Sequence, residues 1–212
     1  TSKRGITLNI ETTDGREIFK RLVKTADFVI ESFAPGYMAK LGLGYPELEK
    51  INPAIIMTSI TPFGQSGPYS GYQATDIVGL AMGGVMSLLG ESNRPVRIGS
   101  GPQAYLQAGL QAAMASMMAH YHRQMSGEGQ HVDVSMQQSA AWFQANAVPV
   151  FEINGTRLKR AGAFRAGTST QVGLRQVWCC KDSYLFFNVI GGRTGAKTLS
   201  SLVAWMVEEK MA

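Results

Sequence analysis

Phe28-Val29-Ile30-Glu31 and Ala54-Ile55-Ile56-Met57-Thr58-Ser59-Ile60 are short apolar runs rich in β-branched residues. Runs of this length and composition read as strands buried on both faces of a sheet. Between them Pro46 stands at the first turn of a short helix that ends near Asn52, a place where the missing N–H of proline costs nothing. Strand, helix and strand in this order predict parallel pairing, with helices covering the sheet. Upstream, Lys3 to Ile10 alternates Ile6, Leu8 and Ile10 with polar residues and reads as a further strand. The segment after Asp14 places Ile18, Phe19, Leu22 and Val23 on one helical face.

Downstream, Phe63-Gly64-Gln65-Ser66-Gly67-Pro68-Tyr69-Ser70-Gly71 is a turn-rich loop, where a ligand could approach backbone. A helix is expected from Thr75 to Leu89, a polar loop over 90–101, and a long Ala-rich helix from Ala104 to Met125 stopped by Gly127 and Gly129. A strand at His131–Ser135 and a helix from Met136 to Asn146 follow. A basic, Gly-containing stretch up to Gly173 reads as a connection. Arg175–Cys180 and Tyr184–Val189 around Lys181-Asp182-Ser183 read as a hairpin, followed by a helix over Ala196–Lys210. The expectation is an α/β chain: a Rossmann-like large domain with a mostly parallel sheet over 1–174, and the start of a smaller α+β domain over 175–212.

Composition narrows the function. Hydrophobic residues make up 45% and charged residues 17%, as in a compact globule. The net charge of +5 is spread out, with no basic run longer than a pair such as Lys159-Arg160. That distribution favours small phosphate-bearing ligands over nucleic acid, whose binders concentrate charge on one face. The only cysteines, Cys179 and Cys180, are adjacent; a bridge between neighbours is strained, so both read as free thiols in a reducing, cytoplasmic setting. Ala104–His120 carries Gln107, Gln111 and Ser116 and falls short of a membrane span. His120, His122 and His131 lack metal-ligand spacing, so no metal site is expected. Gly99-Ser100-Gly101 and Gly191-Gly192-Arg193-Thr194-Gly195 match neither phosphate-loop nor dinucleotide fingerprints, and no Gly-x-Ser-x-Gly is present.

Four segments carry a resemblance. They are Lys3-Arg4-Gly5-Ile6-Thr7-Leu8; Glu31-Ser32-Phe33-Ala34-Pro35-Gly36 with Leu41-Gly42-Leu43-Gly44-Tyr45; Phe63-Gly64-Gln65-Ser66-Gly67-Pro68-Tyr69; and Gly127-Glu128-Gly129-Gln130-His131-Val132-Asp133-Val134-Ser135. In this order and spacing the chain resembles the family III CoA-transferases, the CaiB/BaiF type that includes formyl-CoA transferases and 2-methylacyl-CoA racemases. The resemblance implies coenzyme A or an acyl-CoA as substrate, with no permanently bound cofactor, and a carboxylic acid as the other reactant. It also implies interlocked dimers, and that part of the large domain and most of the small one lie outside this chain. Ser32, Phe33 and Lys40 stand where the family pocket holds the CoA nucleotide, where Asn-Phe and a later Arg are more usual. An aromatic can pack against adenine and a lysine can meet a phosphate as a point charge. Lys3 and Arg4 are further candidates to face phosphates.

The departure lies in Gly101-Pro102-Gln103-Ala104-Tyr105-Leu106-Gln107-Ala108-Gly109-Leu110. Proline on one side and Ala-Gly on the other fix the register, and Tyr105 takes the place of the family's catalytic aspartate. In CoA transfer that carboxylate attacks the donor thioester, forms a mixed anhydride and then becomes the acyl part of an enzyme-CoA thioester. A phenol has no carbonyl to hold CoA. With a pKa near 10 against about 3.9 for Asp, about 0.1% is ionised at neutral pH, a handicap of roughly 4 kcal/mol. The racemase branch resembles the same fold with a histidine before Asp76; Thr75 replaces it here, so neither member of that acid/base couple is present. Asp76 and Asp133 read as structural; Glu91, in the polar loop after Gly90, is the best-located candidate in this chain for a substitute carboxylate, and one outside this chain is the alternative. Two expectations stand side by side: a subunit without its own catalytic Asp, in a heterodimer with an Asp-containing paralogue, or a self-sufficient homodimeric transferase using another carboxylate.

Overall fold

The computed structural model of the chain describes residues 2–96, 99, 101–165, 174–188 and 192–211. It divides into two units, residues 1–85 with 99–145, and residues 86–98 with 146–212. The boundary read from sequence, between 174 and 175, lies within the second of these.

The first unit opens with helix α1, Thr13–Val23, whose start is fixed by the Thr12 hydroxyl accepting from Gly15 N–H at 3.1 Å. Asp14 in its first turn and Lys20 and Arg21 in its last complement the helix dipole. Strand β1 (Phe28–Glu31) follows, then the single turn α2 (Tyr37–Lys40), α3 (Tyr45–Ile51, with Pro46 in its first turn) and strand β2 (Ile56–Thr61). Val23, Met38, Leu43, Leu48, Ile55 and Met57 form one buried cluster, with Phe19, Val29 and Tyr45 packed against it. Burying each such aliphatic side chain contributes about 1.5–3 kcal/mol. Asn52 stitches three segments together. Its amide donates to the carbonyls of Val23 and Ala26, both at 3.0 Å, and its oxygen accepts from Ala54 N–H at 3.1 Å.

Helix α4 covers Asp76–Met82, α5 Gln103–Ser126, strand β3 Gln130–Ser135 and α6 Met136–Ala141. The three strands form a parallel sheet in the order β1-β2-β3, with Ile30 level with Thr58 and Thr58 level with Val132. The parallel sheet and its helices are those expected from the two apolar runs. Helix α5 packs on β2 and β3. The side chains it buries are small: Ala104, Ala108, Ala112, Ser116 and Ala119. This seam lets the helix backbone come close to the sheet, and the one polar member, Ser116, bonds Thr58 across it at 2.7 Å between hydroxyl oxygens. The outer face of α5 exposes Leu106, Leu110, Met114, Met117 and Met118.

Three expectations are corrected. Residues 3–9 form no strand; an alternating segment needs a neighbour for its hydrogen-bond ladder, and none of the described strands pairs with it. The helix read as Thr75–Leu89 stops at Met82 because Gly83 and Gly84 follow, Gly84 taking a φ of +81°, in the left-handed region that glycine tolerates. The helix read as Met136–Asn146 ends at Ala141 and tightens into a 3-10 turn at Trp142–Gln144, where Gln144 reaches back to the Gly83 carbonyl. In α1, Phe19 and Val23 face the core while Ile18 and Leu22 are exposed.

The second unit holds α7 (Ala147–Asn154), the short antiparallel pair β4 (Phe164–Arg165) and β5 (Leu174–Arg175), the hairpin β6 (Val177–Cys179) with β7 (Tyr184–Phe186), and α8 (Gly192–Glu208). The hairpin lies around the expected Lys181-Asp182-Ser183 turn, closed by Cys180 N–H to the Ser183 carbonyl at 2.9 Å. The expected hairpin end at Val189 lies outside the described residues. Among the described residues no helix is long and apolar enough to cross a membrane.

Candidate functional site

Tyr105 is in the first turn of α5, half exposed, and its backbone N–H donates to Asp76 Oδ1 at 3.0 Å. The first N–H groups of any helix lack intrahelical acceptors. Asp76, itself the first residue of α4, supplies one here and places a negative charge at the positive end of the α5 dipole. Asp76 is therefore tied to the start of α5 through the main chain of residue 105. The link spans 29 positions and has no sequence signal.

At the carboxyl end of β1 the chain turns through Ser32, Phe33 and Gly36 into α2. Ser32 and Phe33 lie on this turn and Lys40 ends α2, and all three are exposed. Among the described residues the Ser32 hydroxyl and the Lys40 ammonium have no hydrogen-bond partner, and the Phe33 ring lies 4.8 Å from that of Tyr37. Lys3 and Arg4 are exposed in the segment without regular structure. The Tyr37 hydroxyl donates to Glu11 Oε1 at 2.9 Å, and this bond raises its pKa above the ordinary tyrosine value.

The loop at 63–71 is anchored from two sides. Asp133 Oδ2 accepts from Gln65 N–H at 2.9 Å, and Gln65 Oε1 accepts from Gly36 N–H at 3.4 Å. Phe63, Tyr69 and Tyr72 cluster, with ring centroids 5.4–6.3 Å apart. Asp133 thus holds this loop.

Under this loop lies a cavity of about 130 Å³ lined by Glu31, Gly36, Tyr45, Ser59, Gln65 and His131, among others. Glu31 is only 8% exposed and its Oε2 accepts from Phe33 N–H at 2.7 Å. His131 Nε2 lies 2.9 Å from Ser59 Oγ, and its ring stacks on Tyr45 at 5.6 Å and 11°. Burial holds the Tyr45 phenol above its ordinary pKa, and the nearby Glu49 and Glu128 carboxylates push the same way. Glu31, Gly36, Tyr45, Gln65 and His131 stand in the segments that carry the resemblance, but nothing in the sequence shows that they meet; Ser59, Gln65 and His131 converge from separate elements.

Glu91 is in the second unit, where it pairs with Arg94 at 3.5 Å. Its Cγ lies against Gly162, leaving 3.0 Å for a Cβ there.

Comparison with known proteins adds a second line. The model for CoA-transferase family III matches residues 1–207. The chain is 35% identical over 208 residues to a succinyl-CoA:(R)-benzylsuccinate CoA-transferase subunit of Thauera aromatica, covering 98% of this chain and 48% of that protein. It is 35% identical over 151 residues to the beta subunit of a succinyl-CoA–L-malate CoA-transferase of Chloroflexus aurantiacus, covering 71% of this chain and 37% of the relative. A solved CaiB/BaiF family protein from Brucella suis superposes with a TM-score of 0.77 at 32% identity, over 95% of this chain and 52% of that one. The chain thus spans about half the length of the relatives it matches.

Proposed function

This chain belongs to CoA-transferase family III, and from that premise we propose that it handles acyl-CoA as a subunit without its own catalytic aspartate, in an assembly that moves CoA between an acyl-CoA and a carboxylic acid. A related subunit supplies the aspartate. The observation that carries this reading is the start of α5: the Asp76 bond to the main chain of residue 105 is in place, while the side chain there is a phenol. The scaffold for a nucleophile is kept and the nucleophile is not. A tyrosine cannot form the mixed anhydride or hold CoA as a thioester, so this position has no route through the family's intermediates.

Two of the matched relatives carry the word subunit in their names, which supports a multi-subunit assembly. The apolar outer face of α5 supports it too, since contiguous exposed apolar surface of this kind marks interaction sites. The proposed arrangement is an interlocked dimer with an Asp-containing paralogue, in the cytoplasm. Ser32, Phe33 and Lys40 are the proposed contacts to the CoA nucleotide, with Lys3 and Arg4 facing its phosphates. CoA is substrate, not resident cofactor.

Substitution tests the proposal. In the full-length protein Tyr105→Asp creates or raises CoA-transferase turnover, and Asp→Ala in the partner subunit abolishes turnover of the native complex. If the protein alone forms a homodimer with full turnover that Tyr105→Phe leaves unchanged, the subunit reading fails, and Glu91 becomes the first carboxylate to replace.

A further inference from the structure

We propose that Cys179 and Cys180 are a modification site: a low-molecular-weight disulfide such as oxidised glutathione converts the two thiols to a reversible bridge, and closing that bridge opens the tip of the β6–β7 hairpin. Both thiols are free and exposed, and they are the only cysteines of the chain. Cys179 ends β6 and pairs level with Tyr184. Cys180 adds one more rung, its N–H donating to the Ser183 carbonyl at 2.9 Å across the Lys181-Asp182 loop. Tyr184, Leu185 and Phe186 of β7 are all exposed, as is Trp178 on β6. Among the described residues neither face of the hairpin tip is covered, so a small reagent in solution can reach either sulfur.

Hairpin and bridge exclude each other. Successive side chains of a paired strand leave on opposite faces, whereas a disulfide needs its two Cβ atoms about 3.5–4.5 Å apart. Consecutive Cα atoms are only about 3.8 Å apart, short of the roughly 4.4–6.8 Å that disulfides usually span. Bridging the pair therefore twists the backbone between residues 179 and 180 out of the ladder, and the rung from Cys180 to Ser183 is lost. The base of the hairpin has other ties. Phe187 N–H donates to the Gln176 carbonyl at 2.8 Å, the Trp178 indole N–H donates to the Phe187 carbonyl at 3.3 Å, and the Arg175 guanidinium lies 5.2 Å from the centre of the Trp178 ring. The opening accordingly stops at the tip. A bridge that is both strained and exposed is readily reduced again, the character of a regulatory rather than a structural disulfide. The chemistry balances as thiol–disulfide exchange. One cysteine sulfur gives up its proton, attacks a sulfur of the small disulfide and expels a small thiolate; the neighbouring sulfur, deprotonated in turn, attacks the cysteine sulfur of the mixed disulfide and expels the second. Two electrons pass from the protein to the small disulfide, and the two protons end on the two small thiols.

The test takes the full-length native protein, fully reduced, through incubation with oxidised glutathione, alkylation with N-ethylmaleimide and peptide mapping. The tryptic peptide of residues 176–181 is expected two hydrogens lighter than its dithiol form and without alkyl groups, and to return to the doubly alkylated form after treatment with reduced glutathione. Hydrogen exchange followed by mass spectrometry reads the conformational half. In the oxidised protein the amide of Cys180 is expected to exchange about tenfold faster or more, while that of Phe187, at the base, keeps its protection. Cys179→Ser and Cys180→Ser should each stop at a mixed disulfide with one glutathione and leave exchange at the tip as in the reduced native protein. Thiols that N-ethylmaleimide cannot reach in the native protein, or two glutathiones on the peptide with no bridge, would overturn the site. A bridge that forms with exchange at the tip unchanged would overturn the coupling to the hairpin.

Discussion

The hydroxyl pair between β2 and α5 sets a sharp test of how the helix that carries Tyr105 is held. Thr58 is fully buried and Ser116 is 6% exposed, and their oxygens are 2.7 Å apart. Ser116 Oγ also donates to the Ala112 carbonyl at 2.7 Å. A hydroxyl has one proton, so Ser116 spends its proton on Ala112 and Thr58 must be the donor to Ser116. The two single substitutions are therefore unequal. Ser116→Ala strands a fully buried O–H and costs about 1–3 kcal/mol. Thr58→Val keeps the shape and leaves Ser116 bonded to Ala112, so only the net value of one bond is lost, about 0.5–1.5 kcal/mol. In the double variant nothing is stranded, and its cost falls below the sum of the singles by about 1–2 kcal/mol. Urea denaturation of the full-length protein, read by circular dichroism across all four species, measures this. Additive costs, or a Thr58→Val penalty larger than that of Ser116→Ala, would refute the assigned donor direction and the seam built on it.

Other outcomes follow from particular contacts. Arg123 donates to the carbonyls of Asp27 and Ala54, both at 3.1 Å, pairs with Asp27 Oδ1 at 3.0 Å and lies over the Phe28 ring; Arg123→Lys loses the forked geometry and is expected to cost about 2 kcal/mol in denaturation experiments. At Gly129 an added Cβ would run into the backbone carbonyl of Ile55, which no rotamer change relieves, so Gly129→Ala should cost more than about 3 kcal/mol or prevent soluble expression. The raised Tyr45 pKa means the folded state keeps a proton that the unfolded chain has lost above about pH 10. Stability should therefore fall as pH rises beyond that value, and Tyr45→Phe should flatten the fall in pH-dependent melting.

The parallel sheet was legible because β1 and β2 are short, self-contained apolar runs separated by a helix, and α5 because its small residues recur at helical spacing up to Gly127. Lys3–Ile10 misled because alternation reports a strand's faces but not whether a partner exists to pair with it. The helix after Thr75 ran long on paper because Val85 and Leu89 continue the apolar period across Gly83-Gly84, and backbone preference decided against the period. In the site, Ser32 and Phe33 are adjacent in sequence and Lys40 closes the short helix that follows, so their common position after β1 is legible from the chain alone. Nothing local joins Asp76 to residue 105, or brings Ser59, Gln65 and His131 to Glu31; those meetings are products of sheet register and loop anchoring. Glu91 was singled out by chain order alone, and its ion pair with Arg94 is local to the second unit.

The most direct measurement is of where the acyl-enzyme chemistry occurs. The native full-length assembly is incubated with succinyl-CoA, treated with borohydride or hydroxylamine, and each subunit is weighed by intact mass spectrometry. The account predicts a modified aspartate on the partner subunit and an unmodified chain carrying Tyr105. A trapped adduct on this chain, in the native sequence, would contradict it.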